Sequence, residues 1–136
     1  MTLGPLVLIV DDFADNREMY AEYLRFAGFR VEEAATGQEA LERAQANPPD
    51  AAIMDLSLPE MDGWEATRRL KADPRTEHVR VIALTGHALK GHSESAMKAG
   101  CDLFVTKPCL PEDLVKHLET LLGVVRDDGR PNPGRR

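Results

Sequence analysis

The stretch LVLIVDDF, Leu6–Phe13, runs five apolar residues directly into two adjacent carboxylates. A short, unbroken apolar run of this kind suits a strand covered on both faces, as the strands of parallel sheets are. Asp11 and Asp12 would then stand at its carboxyl end. Like charges at close range raise each other's pKa, and burial raises it further. The pair therefore costs stability unless a cation or a particular chemistry uses it. Taken alone, it reads first as a solvated turn that caps the next helix. The rest of the chain has to decide.

Similar runs recur as PLVLIV (5–10), FRVEEA (29–34), DAAIMD (50–55), VRVIALT (79–85) and DLFVTK (102–107). Helical patterns lie between them. Asp15 with Glu18, Thr36 with Glu39, and Asp62 with Glu65 have the spacing of capping boxes, in which the N-cap and N3 side chains satisfy orphan amides. After the first of these, Tyr20, Tyr23, Leu24 and Ala27 share a face, and Gly28 suits the residue just past a helix end. Pro111 fits a first-turn position, with Glu112 and Asp113 favourable to the helix dipole. Leu114, Val115, Leu118, Leu121 and Leu122 then form an apolar stripe. The helix around Leu89 to Ala99 has the weakest stripe, and Trp64, at the start of the third helix, reads as a packing residue.

Five strands alternating with five helices predict an α/β fold, a doubly wound parallel five-stranded sheet. With right-handed crossovers, the flavodoxin-like (βα)5 order 2-1-3-4-5 is the common arrangement, with its ligand crevice at the carboxyl ends of strands 1 and 3. One domain over residues 1–122 and a disordered tail over 123–136 are expected, since GVVRDDGRPNPGRR mixes charge, Gly and Pro without periodicity.

Composition narrows the function classes. At 136 residues, with 43% hydrophobic and 29% charged residues, the chain is long enough for one real core and ordinary for a globular protein. A net charge of -6 argues against direct nucleic-acid binding, which usually shows a basic face. No run reaches membrane-spanning length and MTLGPLVLIV lacks a signal-peptide pattern, so a cytoplasmic protein with no membrane contact is expected. Cys101 and Cys109 are too few for a metal cluster. A strand between them would hold them more than about 15 Å apart, too far to bridge, so both read as small buried thiols. His78, His92 and His117 show no metal spacing and read as surface residues.

In the predicted order Asp11 and Asp12 end strand 1 and Asp55 ends strand 3, so three carboxylates meet at one rim. Thr85 ends strand 4, and Lys107 ends strand 5, just before Pro108. Such a rim suits phosphoryl transfer onto an aspartate. Asp55, on the central strand, is the candidate nucleophile, aspartyl phosphate being a known covalent strategy. Attack on a phosphoryl group requires its negative charge to be neutralised. Magnesium, a hard ion held by a few carboxylates and waters, suits Asp12, Asp55 and Asp11. Lys107 supplies a mobile positive charge and Thr85 a hydroxyl donor to the phosphoryl oxygens, while small Gly86 leaves room for entry.

These residues carry a family resemblance. VDD at 10–12, MDLSLPEMDGWE around Asp55, IALTGHA with Thr85 and VTKP with Lys107 are together similar to a two-component response-regulator receiver (CheY-like) domain, over residues 6–122. The resemblance implies Asp55 as phosphoacceptor and Asp11, Asp12, Asp55 and the Ser57 backbone carbonyl as the site for Mg²⁺, or Mn²⁺ in its place. It implies Lys107 and Thr85 as phosphoryl contacts, and a cis peptide before Pro108. Thr85 and Phe104 would form the switch, Phe104 lacking the hydroxyl of the Tyr often found there; a plain core aromatic is the competing reading. Ser57, Gly86 and His87 flank the site where phosphoryl access and lifetime are set, although His87 reads equally well as a solvated loop residue.

The partners implied are a histidine kinase or histidine phosphotransfer protein and a downstream protein effector. The effector would meet the face built from the helix near 89–99, the fifth strand and the last helix, and a weak dimer would use the same face. The activity implied is Mg²⁺-dependent self-phosphorylation and self-dephosphorylation, not enzymatic turnover of other substrates. A stand-alone regulator competes with the receiver part of a longer regulator or hybrid histidine kinase. An aspartate-nucleophile phosphatase would want a D-x-D spacing at strand 1. A flavodoxin would want a hydroxyl-rich loop where this chain has DDFADN.

Overall fold

β1 (Leu6–Val10) is buried along its whole length, and so is β3 (Ala51–Asp55) beside it. The computed structural model describes residues 4–56, 63–85 and 100–123, with Thr85 described by its backbone. Around these two strands the chain runs α1 (Ala14–Phe26), β2 (Arg30–Ala34), α2 (Gly37–Ala46), α3 (Gly63–Ala72), β4 (Arg80–Thr85), β5 (Leu103–Thr106) and α4 (Pro111–Leu122). The five strands form one sheet in the order β2-β1-β3-β4-β5, and every pairing is parallel. The helix expected around 89–99 and the tail beyond Gly123 lie outside the described residues.

The unbroken apolar runs follow from a sheet covered on both sides. Successive side chains of a strand point to opposite faces. Val7 and Ile9 accordingly join Ile53, Ile82 and Leu84 beneath Tyr20 and Leu24 of α1 and Leu114 and Leu118 of α4. Leu8 and Val10 join Met54, Val81 and Ala83 beneath Leu41 of α2 and Ala66 and Leu70 of α3. Cys101 belongs to the second layer and Cys109 to the first, so the sheet itself separates the two buried thiols.

Helix ends test the capping expectations. Thr36 is the N-cap of α2, its Oγ1 accepting from Glu39 N–H at 3.1 Å, while Glu39 reaches back to accept from Ala35 N–H at 2.7 Å. Asp15 is not a cap. Helix α1 begins two residues earlier than that cap implies, at Ala14 after Phe13, which has no side-chain capping bond. The reason is Asp11, whose Oδ1 accepts from Phe13 N–H at 2.9 Å and forms the turn into the helix, leaving Asp15 in the first turn. Asp62 lies outside the described residues. Tyr23 also departs from expectation: the buried face of α1 is Tyr20, Ala21 and Leu24, and Tyr23 is 38% exposed.

At the other end of α1, Phe29 N–H donates to Leu24 O and Gly28 N–H to Arg25 O, a Schellman closure that requires the left-handed φ of 103° at Gly28. Pro111 opens α4, and Gly123, with φ 65°, ends it.

The amino ends of the strands are tied by carboxylates. Asp50 Oδ2 accepts from Leu6 N–H at 2.8 Å. Asp102 Oδ2 accepts from Val81 N–H at 2.8 Å and from Lys71 Nζ at 3.0 Å, and the Lys71 ammonium also donates to Val79 O. No helix among the described residues is long and apolar enough to cross a membrane.

Candidate phosphoryl-transfer site

Parallel pairing places every strand's carboxyl end at one rim. Val10 of β1 stands opposite Met54 of β3, so Asp11 and Asp55 follow side by side. Asp12 completes the group, and one oxygen from each of the three carboxylates lies within 4.8 Å of the others. Asp11 is 3% exposed and Asp55 5%, while Asp12 is open to solvent.

Lys107 comes from the far side of the sheet. Its strand, β5, is separated from β1 by β4 and β3. The ammonium nonetheless reaches to 3.5 Å from Asp55 Oδ2 and 3.9 Å from Asp11 Oδ2. The peptide bond that follows it, Lys107–Pro108, is cis.

Burial is the largest influence on Asp11 and pushes its carboxyl above the ordinary carboxylate value. The Phe13 N–H bond opposes it, the charge of Asp55 adds to it, Lys107 opposes it, and Asp12 contributes least, upward. Repulsion within the cluster is thus real but second to desolvation. With all three carboxylates ionised against one ammonium, the rim carries a surplus of two negative charges. An all-oxygen donor set with that surplus, one carboxylate facing solvent, fits a hard divalent ion that keeps some of its waters.

The other expected site residues divide. Thr85 N–H and C=O end β4 at the same rim, in register with Thr106 of β5. Ser57, Gly86 and His87 lie outside the described residues, as does His92. Phe104, three residues before Lys107, is half-buried and packs with Trp64 against the α2/α3 layer, opposite the small Ala83 of β4. His78 is exposed and His117 half-buried.

Three residues support the site without having been singled out for it. Arg17, one turn into α1, donates from Nη1 to Asp11 O at 2.9 Å and from Nε to Glu33 Oε1 at 3.1 Å, which anchors the end of β1 to β2. Tyr20 donates from its hydroxyl to Cys109 O at 2.6 Å. Gly63, the first residue of α3, lies so close to β3 that a Cβ would stand 2.5 Å from Asp55 O and 2.9 Å from Leu56 Cα. Only the last had a usable signal, the Asp-Gly pair before a helical pattern.

Comparison with known proteins bears on this geometry directly. The sequence matches the response regulator receiver domain family over residues 7–119. It is 33% identical over 117 residues to the polar-differentiation response regulator DivK of Brucella ovis, a similarity covering 86% of this chain and 95% of that one. Among solved structures, a putative response regulator from Chloroflexus aurantiacus J-10-fl is 34% identical with a TM-score of 0.83, covering 89% of this chain and 99% of the other. The receiver domain of a sensor histidine kinase from Pseudomonas aeruginosa PAO1 is 35% identical with a TM-score of 0.82, over 89% and 99% of the two chains. That structure has a magnesium ion coordinated in its active-site cleft. The strand order, the acidic rim and these similarities agree, and the chain belongs to the response regulator receiver domain family of two-component signalling.

Proposed function

We propose that this protein accepts a phosphoryl group on Asp55 from a phosphohistidine donor, a histidine kinase or histidine phosphotransfer protein, and signals by a change of surface. One observation carries the reading: Asp55 is buried at the end of a central strand, grouped with Asp11 and Asp12 and 3.5 Å from the Lys107 ammonium. A carboxylate oxygen of Asp55 attacks phosphorus and the phosphorus–nitrogen bond to the donor imidazole breaks. The electron pair stays on that nitrogen, and the product on this chain is a mixed anhydride. Asp11, Asp12 and Asp55, with the Ser57 carbonyl, would hold Mg²⁺, or Mn²⁺ in its place, which supplies positive charge to the phosphoryl oxygens when bound. Lys107 adds its ammonium to the same oxygens and holds Asp11 and Asp55 together beforehand.

The signalling step is assigned to Thr85 and Phe104. A phosphoryl oxygen gives the Thr85 hydroxyl a partner, and Phe104 then repacks beside Ala83, altering the face made by residues 89–99, β5 and α4. That face would take the effector, or a second copy in a weak dimer. Ser57, Gly86 and His87 would set phosphoryl access and lifetime, and the setting is the cytoplasm. The activity is self-phosphorylation and self-dephosphorylation alone. A second reading, the receiver part of a hybrid histidine kinase, is favoured by the similarity to the Pseudomonas kinase receiver; the size of the native protein in cell extracts separates the two.

The test is incubation with acetyl phosphate and Mg²⁺ followed by intact mass. The wild type should gain one phosphoryl mass and Asp55→Asn none; labelling of that variant at the wild-type level refutes the assignment. Beryllium fluoride should perturb amide resonances over residues 85–110, and Thr85→Ala should bind it while losing most of the distant changes.

A further inference from the structure

Tyr20 is a buried phenol on the inner face of α1, and its hydroxyl donates to Cys109 O at 2.6 Å across a span of 89 residues. The bond joins two parts of the chain that are distant in sequence and pack in the same layer on one face of the sheet. Tyr20 belongs to the helix that begins directly after Asp11, Asp12 and Phe13. Cys109 lies two residues beyond Lys107, past a strand that touches neither β1 nor β3. A phenol in an apolar layer normally finds a partner for its hydroxyl, and phenylalanine would fill the same volume without one. Burial above all, then Cys109 and Asp11, pushes the phenol above its ordinary pKa, so the hydroxyl stays protonated and able to donate.

Lysine is a flexible side chain whose ammonium takes many positions unless its stem is anchored. Lys107 nevertheless lies between Asp55 and Asp11, at 3.5 and 3.9 Å. The segment carrying it has a strand of four residues on one side and the Tyr20 bond to its other flank. We infer that Tyr20 is a positioning residue: by holding the Cys109 carbonyl against α1 it fixes where the Lys107 ammonium stands among the three carboxylates. The inference rests on the phosphoacceptor reading for its effect on phosphorylation, but not for its effect on the charge of the site.

The discriminating variant is Tyr20→Phe, which removes one oxygen. If the ammonium loses its anchor and drifts outward, two consequences follow with opposite signs. Less positive charge remains at the cluster, so Mg²⁺ measured by calorimetry should bind at least about threefold more tightly. Acetyl-phosphate labelling at saturating Mg²⁺ should slow about tenfold, because the cation that meets the phosphoryl oxygens is misplaced. Both changes should vanish when Tyr20→Phe is made in a Lys107→Ala background, since the hydroxyl then has nothing left to position. General loosening of the fold would weaken Mg²⁺ binding rather than strengthen it. Should Tyr20→Phe not fold, Tyr20→Leu is measured instead, with the same signs expected. Unchanged Mg²⁺ affinity in the variant, or effects that persist undiminished without Lys107, overturns the inference. If the wild type takes no phosphoryl group, the phosphoacceptor reading fails, and the Mg²⁺ measurements still decide the role of Tyr20.

Discussion

Replacing Lys107 with Ala should destabilise the metal-free protein more than twice as much as the Mg²⁺-loaded protein. The ammonium stands 3.5 Å from one buried carboxylate and 3.9 Å from another. At an effective dielectric of about 20, each contact contributes about 4–5 kcal/mol of attraction; in bulk water each contributes about 1 kcal/mol. The lysine side chain is a quarter exposed, which places it between these limits, and its own desolvation offsets part of the gain. A net loss of about 2 kcal/mol follows, or about 8 °C in melting temperature for a domain of this size. Mg²⁺ brings two positive charges to the same carboxylates. It should therefore bind Lys107→Ala more tightly and stabilise it by more, by mass action. The assay is urea unfolding of wild type and variant, without metal and with saturating Mg²⁺. The deficit should shrink to less than half when Mg²⁺ is present. An equal deficit in both conditions would mean that Lys107 supports the fold by packing, and the electrostatic argument would fail.

Further predictions concern the neighbours of this pair. Asp11→Asn should stabilise the metal-free protein near neutral pH. The folded-state pKa of Asp11 lies above its unfolded value, so the penalty of its buried charge is present above that raised pKa and relieved as pH falls through it toward 3.8. Unfolding measured between about pH 4 and pH 7 should show the advantage closing toward acid, and a gap independent of pH would contradict the burial argument. Gly63→Ala should cost about 2–3 kcal/mol and slow phosphorylation, because the added carbon meets the backbone of Asp55 and Leu56 rather than a movable side chain; wild-type melting and labelling would show that α3 can shift freely. Thr36→Ala should cost about 1 kcal/mol by losing the bond to Glu39 N–H, with the Mg²⁺ response intact. A weakened Mg²⁺ response there would mean that α2 is coupled to the acidic rim.

How much of this was legible in the sequence depended on the kind of signal. Unbroken apolar runs such as LVLIV marked strands buried on both faces, and their spacing placed Asp11, Asp12, Asp55 and Lys107 at one rim before any contact was known. Thr36 was readable because an N-cap acts within four residues. Asp15 was misread for the same local reason: nothing in DDFADN says that Asp11 accepts from Phe13 N–H and turns the chain so that the helix starts at Ala14. Tyr23 shares the helical period of Tyr20 and Leu24, but the buried face of α1 runs through Tyr20, Ala21 and Leu24 and leaves Tyr23 at its margin. The bond from Tyr20 to Cys109 O was invisible because its acceptor is a backbone carbonyl, which every residue carries. Gly63 was not singled out, because its close approach to the backbone of Asp55 and Leu56 depends on how α3 docks on β3.

Asp50 and Asp102 cast the acidic rim in another light. At the strand starts the same side chain, aspartate, has backbone amides and a lysine to answer it: Asp50 takes Leu6 N–H, and Asp102 takes Val81 N–H and Lys71. At the strand ends Asp11 also takes an amide, Phe13 N–H, but it lies beside Asp55 and Asp12, and Asp11 and Asp55 share one ammonium. The sheet thus has one pole where carboxylates stand apart and one where they crowd together, about five residues apart along β1 and β3. Stability can be raised or lowered at the first pole without touching the second. For anyone redesigning this protein, the starts of the strands are where robustness can be gained, and every improvement at their ends would have to remove the unrest that makes the site useful.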